Sequence, residues 1–348
     1  MYYDGSKLMS LKDKNKQTPE IFISTSNRSA GKTTYFGKRL VDDFLKNGHK
    51  FILLYRYAYE LTGVADKFFK DLKNLFYPNH IMSQKMREKD TFAELFLQEI
   101  NSEIEVPCGY AVAINKADNI KKCSHLLSDA TVILFDEFQP ESEMYCQNEI
   151  VKFQSLHTSL ARGNGEQVKY LPVIMISNFV SLLNPYYSAL HIAERLQANT
   201  NYLRGEGWVL EQGFNDDASK AQKASAFNRA FGDTDYNRFS SEKFYLNDNN
   251  TFIKKMSGKS QYLFSLRYDG KYFGVRYFPD EGFVYVNRSP DLTAGKRYAV
   301  SVDDMDDDCI LFGRYDNRVI VLRQYFDRGM FRFADLPSKA AAFSMLSY

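Results

Sequence analysis

Two short stretches hold residue types that do phosphate chemistry together. The first runs from an apolar strand pattern (Ile21-Phe22-Ile23) through a polar loop to Gly31-Lys32-Thr33-Thr34, which opens a helical pattern. Strand, loop and Gly-Lys-Thr in this order form a P-loop. The nucleotide-binding stretch is Ser26, Asn27, Arg28, Ser29, Ala30, Gly31, Lys32, Thr33 and Thr34. Its backbone N–H groups and the helix N-terminus cradle phosphate oxygens. Lys32 reaches the β- and γ-phosphates of ATP, and the Thr33 hydroxyl takes Mg²⁺. Ser26 stands where the motif usually has its first glycine.

The second stretch is Thr131-Val132-Ile133-Leu134-Phe135-Asp136-Glu137-Phe138, an apolar run that ends on two carboxylates. Burying such a pair without partners is costly, so stability explains it poorly. With a P-loop upstream it is a Walker B strand. Asp136 holds Mg²⁺, and Glu137 polarises the attacking water. A catalytic glutamate favours hydrolysis over kinase chemistry. It points to the additional-strand, catalytic-glutamate (ASCE) class of P-loop ATPases.

Three further positions follow from the parallel sheet that such strands imply. Residues 50–57 (KFILLYRY) are apolar and strand-length, and Arg56 lies near the carboxyl end, where open α/β sheets bind ligands. Arg56 therefore holds the P-loop region or a phosphate, or else forms a structural ion pair. Residues 171–178 are another apolar strand, ending in Ser177-Asn178. Asn178, with Ser177, is placed as a sensor of the γ-phosphate, or as a cap for the following turn. Arg162 precedes that strand by a Gly/Asn-rich turn at 163–165 and could reach a neighbour's nucleotide.

The rest of the chain must position these groups. At 348 residues, two domains are expected, and 44% apolar residues suffice for two cores. The 45 basic and 43 acidic residues nearly cancel, so a polyanionic partner would need a local basic lining. Four scattered cysteines lack metal spacing and read as reduced thiols. No apolar run is long enough to span a membrane. We expect a polar arm at 1–18, an ATPase domain at 19–204, a linker with a small helical element at 205–240, and a β-rich domain at 241–348. Helices are expected at 33–47, 61–76, 115–127, 149–161 and 188–196, with short strands or a hairpin within 80–114. In the last domain, alternating runs flank the Asp269-Gly270 turn. Further short β or connecting pieces are expected at 283–287, 297–302, 310–315, 319–324 and 331–333.

In combination, these features resemble the DNA-packaging ATPases (DNA encapsidation proteins) of small short-tailed double-stranded-DNA phages, relatives of the large terminases. The residues that carry the resemblance are Arg28 within the P-loop, Arg56, the Phe-Asp-Glu-Phe segment, Ile-Ser-Asn followed by Asn-Pro-Tyr, and the 252–275 region. The resemblance implies a homo-oligomeric ring, expected to be a pentamer, docked on the portal (connector) of a prohead. The ring would drive double-stranded DNA inward with ATP and Mg²⁺, with or without a packaging RNA. Its place would be the host cytoplasm, transiently at the portal vertex and not in the mature virion, with no membrane partner. Arg162 falls where the family places its trans-acting finger.

The resemblance also implies an RNase-H-like second domain. Nuclease chemistry there would need carboxylates converging on two metals. Asp269 belongs to a turn, and the run Asp303-Asp304-Met305-Asp306-Asp307-Asp308 reads as a solvated loop or helix start. A domain without nuclease activity is expected, binding DNA or portal through residues such as Lys254, Lys255, Lys259, Lys271, Arg276 and Lys296. The competing readings are a helicase-type, nucleic-acid-stimulated P-loop ATPase, and a non-enzymatic portal-binding or scaffolding protein with a dead P-loop.

Overall fold

Alternation along the central strands divides the first unit into two cores. In the computed structural model, Ile23, Ile52, Leu54, Ile133, Phe135, Val173 and Met175 face one apolar layer. Their sequence neighbours Phe22, Phe51, Leu53, Leu134, Ile174 and Ile176 face the other. Burial on both faces is what a parallel sheet under helices requires. Each fully buried Leu, Ile or Phe contributes about 1.5–3 kcal/mol. The structure describes residues 3–142, 144–162, 167–182, 184–192, 195–196, 200–232, 234–242, 252–313 and 316–347. The chain divides into two compact units, Met1–Asn247 and Asp248–Tyr348.

The strands of the first unit are β1 (Ile21–Ser26), β2 (Lys50–Tyr55), β3 (His80–Arg87), β4 (Phe92–Glu99), β5 (Glu105–Ala113), β6 (Ala130–Asp136), β7 (Val173–Asn178), β8 (Tyr202–Arg204) and β9 (Trp208–Gln212). Their spatial order is β3-β4-β5-β2-β6-β7-β1-β9-β8. Thus β7 lies between β6 and β1, parallel to both. Helix α1 (Ser6–Ser10) adds Leu8 to the second apolar layer. Helices α2 (Lys32–Asn47) and α3 (Val64–Leu75) cover that layer with Phe36, Leu40, Phe44, Phe69 and Leu72. Helices α4 (Ala117–Cys123), α5 (Glu149–Leu160) and α6 (Pro185–Ala189) cover the first layer with Ile120, Phe153, Leu156 and Tyr187.

Several expectations change. The 80–114 region does hold strands, and it goes further than a hairpin: β3, β4 and β5 form a meander that extends the main sheet, with β5 parallel to β2. The helix expected at 188–196 is shorter and earlier, Pro185–Ala189, started by the Asn184 side chain accepting from Tyr187 N. The expected linker contributes β9, which pairs in parallel with β1. Gly205 permits this turn, because a Cβ there would lie 2.0 Å from the Trp208 ring. After β9 come α7 (Asp216–Ala224), α8 (Ala226–Phe231) and α9 (Asp235–Ser241). The expected arm is also docked: Asp13 is buried and accepts from Gly207 N, and Lys14 N donates to Gly205 O.

The second unit has strands β10 (Gln261–Tyr268), β11 (Lys271–Phe278), β12 (Phe283–Asn287), β13 (Arg297–Ala299), β14 (Ile310–Leu311) and β15 (Phe331–Phe333), in the order β14-β13-β10-β11-β12-β15. The hairpin turns at Asp269 and Gly270, both at positive φ. Residues 319–324, expected as a short β or connecting piece, belong to helix α10 (Asn317–Asp327). Asp316 caps it by accepting from Arg318 N, and only Val319 and Leu322 are buried, the spacing of one helical face. Helix α11 (Leu336–Ser347) completes the core with Ala341, Ala342 and Met345. Among the described residues, no helix is long and apolar enough to cross a membrane. All four cysteines are free and buried.

Candidate active site

The parallel strands bring their carboxyl ends to one edge of the sheet, and the chemistry collects there. β1 ends at Ser26, its neighbour β7 ends at Asn178, and the next strand β6 ends at Asp136. After Ser26 the chain turns through Ser29 at φ 61° and Gly31 at φ 96° and enters α2. Gly31 suits this left-handed position because it has no Cβ to clash. Lys32 and Thr33 open the helix and aim back at the strand ends.

Lys32 is 6% exposed, and its Nζ donates to Ser26 Oγ at 2.6 Å and to Asn178 Oδ1 at 3.3 Å. Burial pushes its ammonium down to about 8, against the attraction of Asp136 and Glu211. Thr33 Oγ1 donates to Asp136 Oδ2 at 2.8 Å. Burial raises the Asp136 carboxyl above the usual carboxylate range. Glu137 follows at φ 55°, a left-handed backbone uncommon for a residue with a side chain. Its N–H donates to Asp136 Oδ1 at 2.9 Å. The Glu137 carboxyl is also raised, first by burial and then by Asp136 and Glu141. Ser177 Oγ donates to the Asn178 carbonyl at 3.0 Å, so this hydroxyl turns onto the backbone.

Arg56 resolves one open alternative. It forms the structural ion pair, and it also lines the cleft in front of Asp136 and Glu137. Its guanidinium is 5% exposed and pairs with the buried Glu149 at 2.9 Å. It donates onward to Phe138 O at 2.8 Å and Glu137 O at 3.3 Å. Glu149 also accepts from Tyr186 OH at 2.7 Å and Cys146 N at 2.8 Å. The ion pair thus holds the turn that carries the Glu137 backbone. A cleft of about 540 Å³ opens in front, lined by Arg28, Thr33, Asp136, Glu137 and Glu141 among others.

Arg162 is not part of this chain's own cluster. It is exposed, follows α5, and precedes the amino end of β7, whereas the site lies at the carboxyl end. One strand length, roughly 17–20 Å, separates the two edges. The turn expected at 163–165 lies outside the described residues.

The sequence reading missed the groups behind the loop. Asn27 Nδ2 donates to Asn215 O at 3.0 Å, and Asn215 N donates to Asn27 Oδ1 at 2.8 Å. Gln222 Nε2 donates to Ser29 Oγ at 3.0 Å. Arg28 Nη1 bonds Glu141 and the Tyr236 hydroxyl, each at 2.6 Å. The available signal was Asn215-Asp216-Asp217, a helix start that resembles a loop in composition.

A phosphate cradle with a basic residue, paired magnesium-type ligands and an unpaired glutamate can bind and cleave a nucleoside triphosphate. Similar proteins place that chemistry in context. The "DNA packaging protein" of Bacillus phage phi29 is 26% identical over 310 residues, covering 88% of this chain and 87% of that protein. The protein of the same description from Bacillus phage B103 is 25% identical over 324 residues, covering 91% and 94%. A chain from the solved bacteriophage phi29 viral genome packaging motor assembly shares the fold. It has a TM-score of 0.67 and 21% identity, with coverage of 99% of this chain and 98% of that one. The family model described as Podovirus DNA encapsidation protein (Gp16) matches residues 1–347, so a P-loop site read from single residues sits in a chain that belongs to that family.

Proposed function

We propose that this protein is an ATP-driven motor that moves viral double-stranded DNA into a preformed prohead. The observation that carries the reading is the meeting of Lys32, Thr33, Asp136 and Glu137 at one sheet edge, in a chain of the encapsidation family. The position of β7 between β6 and β1 supports the additional-strand, catalytic-glutamate class.

Thr33 Oγ1, which donates to Asp136 Oδ2, and that carboxylate are hard oxygen ligands of the kind magnesium favours. Mg²⁺ held by Thr33 and Asp136 would neutralise charge on the β- and γ-phosphates. Lys32 exchanges Ser26 and Asn178 for phosphate oxygens, and Asn178 thereby senses whether a γ-phosphate is present. The Glu137 carboxylate orients water and takes its proton, and its raised affinity for that proton suits a general base. Arg56 keeps the Glu137 turn in place.

Arg162, exposed at the opposite edge, can serve only a site on another copy. Head-to-tail contact of the two edges is a heterologous interface, the kind that closes into a ring. The second unit, read as an RNase-H-like fold without nuclease activity, would grip DNA or portal. Lys254, Lys255, Lys259, Lys271 and Lys296 are exposed there, while Arg276 already lies over the Tyr262 ring at 4.9 Å.

The test is prohead packaging, scored as nuclease-protected DNA, together with ATP turnover. Glu137→Gln should abolish both, and turnover equal to the unaltered protein would sink the mechanism. Glu137→Gln and Arg162→Ala, each inactive alone, should regain hydrolysis when mixed, because a mixed interface restores one complete site. No recovery would remove Arg162 from the neighbour's site. Duplex unwinding without packaging would favour the helicase-type reading.

A further inference from the structure

The residues ahead of β1 reach the P-loop itself. Tyr3 N donates to Ala30 O at 3.0 Å, and Asn215 Nδ2 reaches the same oxygen at 3.3 Å. Ala30 O and Gly31 N–H belong to one peptide plane. In a planar trans peptide these two groups point in opposite directions. Fixing the carbonyl toward Tyr3 therefore aims the Gly31 N–H away from it, to the side where the loop receives phosphate.

Tyr3 is itself held firmly. Its ring lies edge-on to Tyr35 at 5.5 Å and against Phe36 at 5.8 Å, both on α2. Its hydroxyl donates to Glu211 on β9 and accepts from Ser24 Oγ at 2.8 Å on β1. Glu211 is 6% exposed and also accepts from Tyr202 OH at 2.7 Å. Beyond its attraction for the Lys32 ammonium, the nucleotide chemistry described above does not use this buried carboxylate. Its hydrogen-bond partners are hydroxyls that fasten the start of the chain to the strands beside the P-loop.

We propose that Tyr3, anchored by Glu211, is a positioning residue of the nucleotide site that sets the orientation of the Ala30–Gly31 peptide. The start of the chain is then a working part of the phosphate cradle rather than a free arm. The inference rests on the ATP-site reading above. Tyr3 N–H is the shorter of the two contacts that hold the Ala30 carbonyl and so preform the cradle, Asn215 Nδ2 being the other. Loosening Tyr3 weakens ground-state binding of phosphate without touching Lys32, Asp136 or Glu137.

The experiment uses the full chain and two readouts: steady-state ATP hydrolysis, and equilibrium binding of a fluorescent ATP analogue. Tyr3→Phe keeps the ring and the backbone N–H but releases the anchor. Its KM and analogue Kd should each rise about fivefold, the cost of one hydrogen bond, with kcat within about twofold of the unaltered protein. Glu211→Ala should raise them at least as much. The double variant should be no worse than the worse single variant, because both act through one contact. Unchanged KM and Kd in both single variants, whatever their melting temperatures, would overturn the proposal, and so would fully additive penalties. If the unaltered protein neither bound the analogue nor hydrolysed ATP, the ATP-site reading would fail instead.

Discussion

The two units treat acidic residues in opposite ways. In the first, Asp136 and Glu137 meet a hydroxyl, a backbone N–H and an open cleft. In the second, the acidic run is occupied by its own surroundings. Asp306 accepts from Arg267 and Tyr272, Asp308 pairs with Arg297 at 2.9 Å, and Asp304 accepts from Gly270 N and Ser301 Oγ. A carboxylate already neutralised by a guanidinium has little left to offer a cation. One kept at a strand end without such a partner stores electrostatic cost that a metal–phosphate complex can relieve. Count and clustering therefore mislead: Asp304, Asp306 and Asp308 of the acidic run serve as a brace, whereas the two adjacent carboxylates face an open cleft.

That contrast can be broken at four points. The largest effect is expected for Glu137→Gln, which should lower ATP turnover by about 10²–10⁴-fold while retaining nucleotide binding, measured by steady-state hydrolysis and analogue binding. Next is Glu149→Ala, which strands the buried Arg56 charge. Denaturant unfolding should show a loss of about 3–5 kcal/mol, and a loss below about 1 kcal/mol would mean the pair does not hold the Glu137 turn. Third is pH. Burial brings the Lys32 ammonium down to about 8, so it loses its charge as pH rises through that value. Bound phosphate keeps the proton on. Hence kcat/KM for ATP should fall about tenfold per pH unit above that point while kcat stays level over the same range. The smallest effect is expected for Asp306→Asn in the second unit: about 1 kcal/mol of stability and no change in hydrolysis rate.

The sequence disclosed the site better than its supports. Lys32, Thr33, Asp136 and Glu137 sit in local patterns, an apolar strand followed by a polar turn, that survive any tertiary context. Residues 208–212 did not stand out because Trp-Val-Leu-Glu-Gln is a short run between a glycine pair and a polar loop. Only pairing with β1, nearly two hundred residues earlier, makes it a strand. Residues 319–324 failed in the other direction. Val-Ile-Val-Leu has strand propensity, but the Asp316 cap and the core contacts of Val319 and Leu322 impose a helix. Arg56 was placed correctly at a strand end, yet its partner Glu149 lies on a distant helix that no spacing rule connects to it.

Ser26, the residue that departs from the usual P-loop pattern, gives Lys32 a partner within the chain. Lys32 rests on Ser26 Oγ and Asn178 Oδ1, so the ammonium already has partners within the chain. A stray anion must replace both partners before it gains anything, and a lone sulfate or a departing inorganic phosphate does so poorly. A triphosphate, held along the whole loop as well, does so readily. The side chain that departs from the motif thus sets a threshold that any anion must pass to reach Lys32.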